Sequence, residues 1–124
     1  MLKDKLKLVV ISLATIFLTM VLGAWLPWWS FVPLCIALGY ISGLVPVKAF
    51  STGFFCVFAA WILQAYYIDM LNEGILSDRL GNIFDGVSLL GLLFISGSLG
   101  GLGGGLAFAT GSSVRELMIQ REQP

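Results

Sequence analysis

Few residues of this sequence could carry out catalysis. The chain contains no histidine, so serines such as Ser42, Ser96 and Ser98 have no imidazole to activate their hydroxyls as nucleophiles. No serine stands in the Gly-x-Ser-x-Gly motif of a nucleophile elbow. The acidic residues outside the termini cluster without the spacing of a metal-ligand set: Asp69, Glu73, Asp78 and Asp85. We therefore expect a protein that is not an enzyme and holds no metal and no cofactor.

The two cysteines, Cys35 and Cys56, both lie within apolar stretches. Structural zinc sites need four Cys or His ligands, which two cysteines without histidine cannot supply. Free cysteine is among the most buried residue types. We therefore interpret both cysteines as small packing residues.

Gln64 is the one amide or acid side chain well inside an apolar stretch. One interpretation is a hydrogen bond to a neighbouring helix, which needs no special function. The other is a polar contact that lines a pore or binds a substrate. The sequence favours the first interpretation and leaves the second open.

The most unusual stretch runs from Ser96 to Gly111, where seven of sixteen residues are glycine and none is charged. Each glycine in a helix interior costs about 1 kcal/mol relative to alanine, so the cluster predicts a very close approach by another helix. Lipid offers no hydrophobic drive for helix association, and small residues instead let helix backbones meet. The predicted helix-packing residues, several in Gly-x-x-x-Gly pairs, are Gly39, Gly43, Gly97, Gly100, Gly101, Gly104 and Gly105.

The same glycines permit a second interpretation. A helix that is kinked or broken near Gly100–Gly105 could line an ion or solute path with freed backbone groups, because irregular backbone inside a membrane is tolerated around an enclosed cavity. The run is not a nucleotide-binding loop, since it lacks the Lys-Ser/Thr ending of a phosphate-binding loop.

Composition places these residues in a membrane. Apolar residues make up 58% of the chain and charged residues 11%, with a mean hydropathy of +0.96, whereas soluble domains are about one-quarter charged. We expect an all-α integral membrane bundle, one transmembrane domain over residues 1–124. At about 20 residues per crossing, the predicted helices cover four segments: 8–26, 29–46, 50–69 and 87–112.

The remaining segments are shorter and more polar. Residues 70–86 carry apolar positions at helical spacing and predict a short amphipathic helix at the membrane surface, with a solvated loop as the alternative. Residues 113–124 are predicted to be a cytoplasmic tail. The apolar run 8–26 is longer than the usual core of a signal peptide, so we expect a retained helix.

The basic residues predict the orientation. With four crossings, six of the seven basic residues fall on the side that holds both termini, and basic residues favour the cytoplasmic side. We therefore expect a multi-pass protein of the cytoplasmic (inner) membrane with both termini cytoplasmic. Net charge is zero and there is no basic run, so no nucleic-acid partner is expected.

These observations predict a non-catalytic interaction or assembly subunit that uses the Gly-rich surface for helix packing. Its expected partners are the lipid bilayer and either further copies of itself or another membrane protein. The alternative is a small oligomeric channel or transporter with Gly100–Gly105 as a broken-helix permeation element.

Overall fold

The computed structural model describes residues 2–123. These residues are helical almost throughout and contain no strand, which confirms the all-α prediction. Met1 and Pro124, the ends of the predicted domain, lie outside the described residues. The helices are α1 (Leu2–Trp25), a short 3-10 turn (Trp28–Ser30), α2 (Phe31–Ser42), α3 (Pro46–Leu71), α4 (Ile75–Ile83) and α5 (Leu89–Glu122).

Three of these helices, α1, α3 and α5, are long and apolar enough to cross a membrane. This agrees with the prediction of a membrane protein. Helix α2 has 12 residues, which at 1.5 Å per residue span about 18 Å, and the 3-10 turn before it adds about 6 Å. Helix α2 is therefore shorter than the predicted helix 29–46 and shorter than a typical crossing.

Proline and glycine set the boundaries around α2. Gly43 follows α2 with a positive φ of 68°, a left-handed conformation that glycine adopts without steric cost and that commonly ends a helix. Pro46 is then the first residue of α3, where its missing N–H is harmless. The predicted bound of the second helix at position 46 was therefore wrong: α2 ends at Ser42, and Pro46 begins the next helix.

Helix α5 is longer than predicted and unbroken. It runs for 34 residues, through Gly100–Gly105 and on past position 112 to Glu122, so most of the predicted tail 113–124 is helix. At 1.5 Å per residue the helix is about 51 Å long, while the hydrocarbon core of a membrane is about 30 Å thick. The helix break that the permeation hypothesis requires is not found in α5.

The helices form a four-cornered arrangement. Helices α2 and α3 each pack against both α1 and α5, whereas α1 and α5 do not pack on each other within the described residues. Gly53 of α3 lies against Gly104 of α5, and Gly97 lies against Ile62, so these two helices are antiparallel. By the same reasoning α2 is parallel to α5, because Phe31 lies against Gly103 and Leu44 against Ser112.

The centre of the arrangement is filled by a buried cluster drawn from all four corners. Its members are Ile11, Phe31, Cys35, Ala49, Val57, Ala107 and Phe108. Cys35 and Cys56 are both buried and free. The cluster separates two ends of the molecule. We call the end with Trp25, Trp28 and Trp29 the tryptophan end, and the end where α2 meets Arg115 the arginine end.

Candidate functional site

The contact between α3 and α5 is built on facing glycines. A Cβ atom placed on Gly53 would lie 2.6 Å from the Gly104 carbonyl oxygen, and one on Gly104 would lie 3.0 Å from the Gly53 carbonyl oxygen. Real Cβ atoms do not approach a heavy atom as closely as 2.6 Å. The two backbones therefore touch at this point, and neither residue has room for a side chain.

Three phenylalanines of α3 match three glycines of α5. Phe50 lies over Gly105, Phe54 over Gly101 and Phe58 over Gly97, each with ring carbons about 3 Å from the position of a Cβ. Both sets repeat every four residues, which places each set on one helix face. The rings of neighbouring phenylalanines are stacked, with centroids 6.2 Å and 5.9 Å apart. The glycines thus form a groove that the aromatic side chains fill.

Helix α5 approaches α2 as closely as it approaches α3. A Cβ atom on Gly39 of α2 would lie 2.9 Å from the Phe108 carbonyl carbon, and one on Gly111 of α5 would lie 2.8 Å from the Tyr40 backbone nitrogen. Gly100 lies under the Trp61 indole, 2.6 Å from its Cγ on the same measure. Neither Gly53 nor Gly111 is among the residues selected from the sequence, although both are glycines in apolar stretches.

Gly43 has a different role from the one predicted. It lies after α2 rather than within it, and its neighbour is the Arg115 guanidinium, with Nη1 3.0 Å from the position of a Cβ. The interpretation of Gly39 and Gly43 as one helical Gly-x-x-x-Gly pair was therefore wrong for Gly43. The spacing alone does not distinguish a packing glycine from a glycine that ends a helix.

Arg115 binds the C-terminal end of α2. Its Nη1 donates hydrogen bonds to the carbonyl oxygens of Tyr40 and Ile41, both at 3.1 Å, and the Ser112 hydroxyl donates to the Leu44 carbonyl. The last carbonyls of a helix have no partner within the helix and carry partial negative charge, so a cation there is favourable. The sequence indicated no such contact, and Arg115 was counted only among the basic residues that predict the orientation in the membrane.

The contact between α1 and α3, which we call the seam, is made by polar side chains rather than by facing glycines. The Ser12 side chain of α1 lies near Cys56 of α3, and Gly23 lies beside the Gln64 amide, whose nitrogen and oxygen are each 2.7 Å from the position of a Cβ. Thr15 and Thr19, between these contacts, are buried. Gln64 thus lies between two helices and also borders a cavity.

Several cavities lie around the bundle, and three of them concern the candidate site. The first, which we call the Thr19 cavity, is at the tryptophan end and has a volume of about 240 Å³. Its lining residues are Thr19, Gly23, Trp28, Ser30, Phe31, Trp61, Gln64, Ala65, Ile68 and Ser96. A second cavity of about 400 Å³ lies between α3, α4 and α5, and its lining is mainly leucine and isoleucine.

The third cavity lies at the arginine end, with a volume of about 300 Å³ and Asp4, Lys7 and Arg115 in its lining. The buried core cluster lies between this cavity and the Thr19 cavity. The two cavities differ in chemistry. The cavity at the arginine end has charged residues of both signs, and the Thr19 cavity has only uncharged side chains.

Within residues 2–123, no group of three or more His, Cys, Asp or Glu side chains is arranged to hold a metal ion. The arrangement holds helices at backbone contact and leaves half-open cavities between them. No protein-family model, curated protein or solved structure matches the chain.

Proposed function

We propose that this chain is a non-catalytic assembly subunit of the cytoplasmic membrane that works as a homo-oligomer. Four crossings are supported by the direction of α2, which is parallel to α5 and leads from the end of α1 back to the start of α3. The short span of α2 is compatible with a local thinning of the bilayer around the bundle. The distribution of basic residues supports placing the arginine end and both termini in the cytoplasm.

Helix α4 fits an interfacial position in this arrangement. It is a nine-residue helix between α3 and α5, and Leu76 and Leu80 contribute to the apolar cavity beside those helices. Asp78 and Arg79 lie on the same short helix. An amphipathic helix with this distribution of residues is typical of a membrane surface.

The glycine face of α5 holds the chain's own helices together, so the surface offered to a partner is a different one. The opposite side of α5 carries exposed side chains at intervals of three or four residues, with a last step of seven. We call this the outward stripe: Ile95, Leu99, Leu102, Leu106, Thr110 and Leu117. The proposal of an oligomer rests on the outward stripe, because the stripe runs along one side of α5 and continues past the end of α2 at the arginine end.

A second copy of this chain is the partner that fits the outward stripe best. Copies inserted in the same orientation present identical stripes side by side, which is the requirement of a two-fold symmetric interface. The C-terminal part of α5 carries Arg115, Glu116, Arg121 and Glu122. These two positive and two negative charges allow two copies to approach without net repulsion.

Disulfide cross-linking in native membranes tests the proposal. Leu106 of the outward stripe and Leu13 of α1 are both 62% exposed, so Leu106→Cys and Leu13→Cys are a matched pair. We expect oxidation to give a covalent dimer of Leu106→Cys and little product with Leu13→Cys or with the natural chain, whose cysteines are buried. Equal dimer yields from the two variants, or a product of a different mass, would contradict the proposal.

The orientation is tested separately by labelling with a membrane-impermeant thiol reagent. We expect Ser77→Cys on α4 to react from outside the cell and Ser113→Cys on α5 to react only after the membrane is opened. External labelling of Ser113→Cys, or equal labelling of Ser77→Cys from both sides, would rule out this orientation.

A channel or transporter is the weaker candidate. Helix α5 is continuous through Gly100–Gly105, and the core cluster fills the space between the cavities at the two ends. A permeation path would therefore have to form between copies of the chain rather than along the glycine run.

A further inference from the structure

The charges of this chain are divided between its two ends. The arginine end has six basic and three acidic residues, a surplus of three positive charges. These residues are Lys3, Lys5, Lys7, Lys48, Arg115 and Arg121, with Asp4, Glu116 and Glu122. The tryptophan end has the opposite surplus, because four acidic residues there outnumber Arg79. Surplus positive charge at one end of a membrane bundle attracts the anionic headgroups of lipids.

A cavity of about 300 Å³ lies at the arginine end, and we call it the arginine cavity. Its lining residues are Asp4, Lys7, Leu8 and Ile11 of α1, Ser42, Gly43 and Leu44 at the end of α2, and Arg115 of α5. Helices α1 and α5 do not pack on each other within the described residues. The cavity therefore occupies the gap between these two helices, and each of them brings a cation to it.

Arg115 is held in this cavity without losing its charge. Its Nη1 donates hydrogen bonds to the carbonyl oxygens of Tyr40 and Ile41, which are neutral groups. A guanidinium has five N–H donors in a planar fork, so Nη2 and Nε keep three donors that these carbonyls do not take. A guanidinium fixed in this way suits a phosphate, whose oxygens accept parallel hydrogen bonds.

Lys7 lies at the depth of a lipid headgroup. At 1.5 Å per residue, Lys7 and Trp25 are about 27 Å apart along α1, close to the hydrocarbon thickness of about 30 Å. Tryptophan is enriched at membrane interfaces, and Trp25 is 86% exposed at its end of the bundle. With Trp25 at one interface, Lys7 lies at the level of the phosphates on the opposite surface.

The lining from α1 changes from charged to apolar toward the membrane centre. Lys7, Leu8 and Ile11 follow Asp4 by three, four and seven residues, which places all four on one helix face. Ile11 is the deepest and belongs to the buried core cluster, and Leu44 adds a further apolar side chain. Asp4 offsets only one of the two cations. A phospholipid matches this order, because its anionic group is followed by hydrocarbon, whereas a free phosphate ion gains nothing from an apolar lining.

From these observations we infer that the arginine cavity binds the phosphate group of an anionic phospholipid. Arg115 and Lys7 donate hydrogen bonds to the phosphate oxygens, and the start of an acyl chain lies along Leu8 and Ile11. This inference requires that the chain spans a membrane. It does not depend on the proposed oligomer or on which side of the membrane holds the termini.

Native mass spectrometry of the full chain in a nonionic detergent tests the inference by lipid titration. The probes are phosphatidylglycerol and phosphatidylcholine with identical acyl chains, which differ in net charge. We expect the first phosphatidylglycerol to bind about tenfold more tightly than the first phosphatidylcholine, since only its phosphate charge is not offset within the lipid. Equal affinity for the two lipids would overturn the inference.

Lys7→Gln and Lys5→Gln are a matched pair that locates the binding. Both lysines are exposed on α1 and each variant removes one positive charge, but only Lys7 lines the cavity. We expect Lys7→Gln to weaken phosphatidylglycerol binding about tenfold, as for the loss of one charge-assisted hydrogen bond. Lys5→Gln should stay within about twofold of the natural chain, because solvent ions screen a charge outside the site. Equal losses would show a general surface attraction and overturn the inference.

Asp4→Asn tests the cavity in the opposite direction. It removes the one negative charge of the lining, so we expect phosphatidylglycerol to bind several-fold more tightly. Weaker binding by Asp4→Asn would overturn the inference.

Inorganic phosphate separates a lipid site from a site for the free ion. We expect millimolar phosphate to leave bound phosphatidylglycerol in place, because the ion has no hydrocarbon to lie along Leu8 and Ile11. Release of the lipid by phosphate would show that the cavity takes the free ion, and it would overturn the assignment to a phospholipid.

Discussion

Two helix contacts in this protein, both made from small residues, have opposite properties. Where α5 meets α3 and α2, glycines bring the backbones together and aromatic rings fill the remaining space. Where α1 meets α3, the small residues are mainly Ser, Thr and Cys, and the seam opens into the Thr19 cavity. The difference shows that small residues at helical spacing predict close packing when they are glycine, and a polar site when they carry hydroxyls beside an amide.

The largest effect is expected from a single methyl group at the α2–α5 contact. A Cβ on Gly39 meets the backbone of Phe108, which cannot rotate away as a side chain can. We expect Gly39→Ala to lower the free energy of unfolding by about 3 kcal/mol, the upper range of overpacking. Thermal unfolding followed by circular dichroism in detergent measures this.

Gly103→Ala is the matched control, because its Cβ would meet only the tip of the Phe31 ring at 3.1 Å. Alanine gains about 1 kcal/mol over glycine in a helix, so we expect this variant to be near neutral or slightly stabilised. Equal destabilisation by Gly39→Ala and Gly103→Ala would show that helix α5 does not make backbone contact with α2.

A graded effect is expected at Gly101, where the neighbour is partly backbone and partly side chain. A Cβ there would lie 3.0 Å from the Phe54 carbonyl oxygen and 3.1 Å from its ring. We expect Gly101→Leu to cost about 1–3 kcal/mol of stability and Gly101→Ala clearly less. If Gly101→Leu unfolds at the same temperature as the natural chain, this face of α5 is not packed against α3.

These glycines also show which features can be predicted from the sequence and which cannot. The spacing of Gly97, Gly101 and Gly105 predicts one helix face, but the register that places Phe50, Phe54 and Phe58 over them depends on how α3 and α5 are offset. That offset is a tertiary property, and no local pattern carries it. The membrane class and the all-helical fold follow from composition and the lengths of the apolar stretches.

The helix ends were less predictable because their signals are ambiguous. Gly43 has Gly-x-x-x-Gly spacing with Gly39, and yet it ends α2. The fourth predicted helix ended at Ser112, whereas α5 continues through Ser112, whose hydroxyl donates to the Leu44 carbonyl. Only part of the Thr19 cavity could be predicted from the sequence. Thr19 and Gln64 could each be placed on a helix face, whereas the missing hydrogen bond of Thr19 appears only in three dimensions.

A moderate effect is expected from Arg115. Replacing it with Gln removes the charge and the hydrogen bonds to Tyr40 and Ile41 at the end of α2. Because Arg115 is partly exposed, we expect Arg115→Gln to cost about 1–2 kcal/mol of stability, and Arg115→Lys about half as much. Chemical denaturation measures both. A full loss in Arg115→Lys would mean that the geometry of the guanidinium, rather than its charge, stabilises α2.

The smallest effect separates two threonines one turn apart on α1. Thr15→Val removes a hydroxyl that bonds to Ile11, so we expect a loss of about 0.5–1 kcal/mol. Thr19→Val removes a buried hydroxyl without a partner, so we expect no loss, or a gain of up to about 1 kcal/mol. Both variants replace a buried threonine with a side chain of the same shape, and thermal unfolding in detergent compares them directly. A larger loss from Thr19→Val than from Thr15→Val would mean that Thr19 is bonded in the protein, and the contrast between the dry glycine contacts and the polar seam would then rest on Gln64 alone.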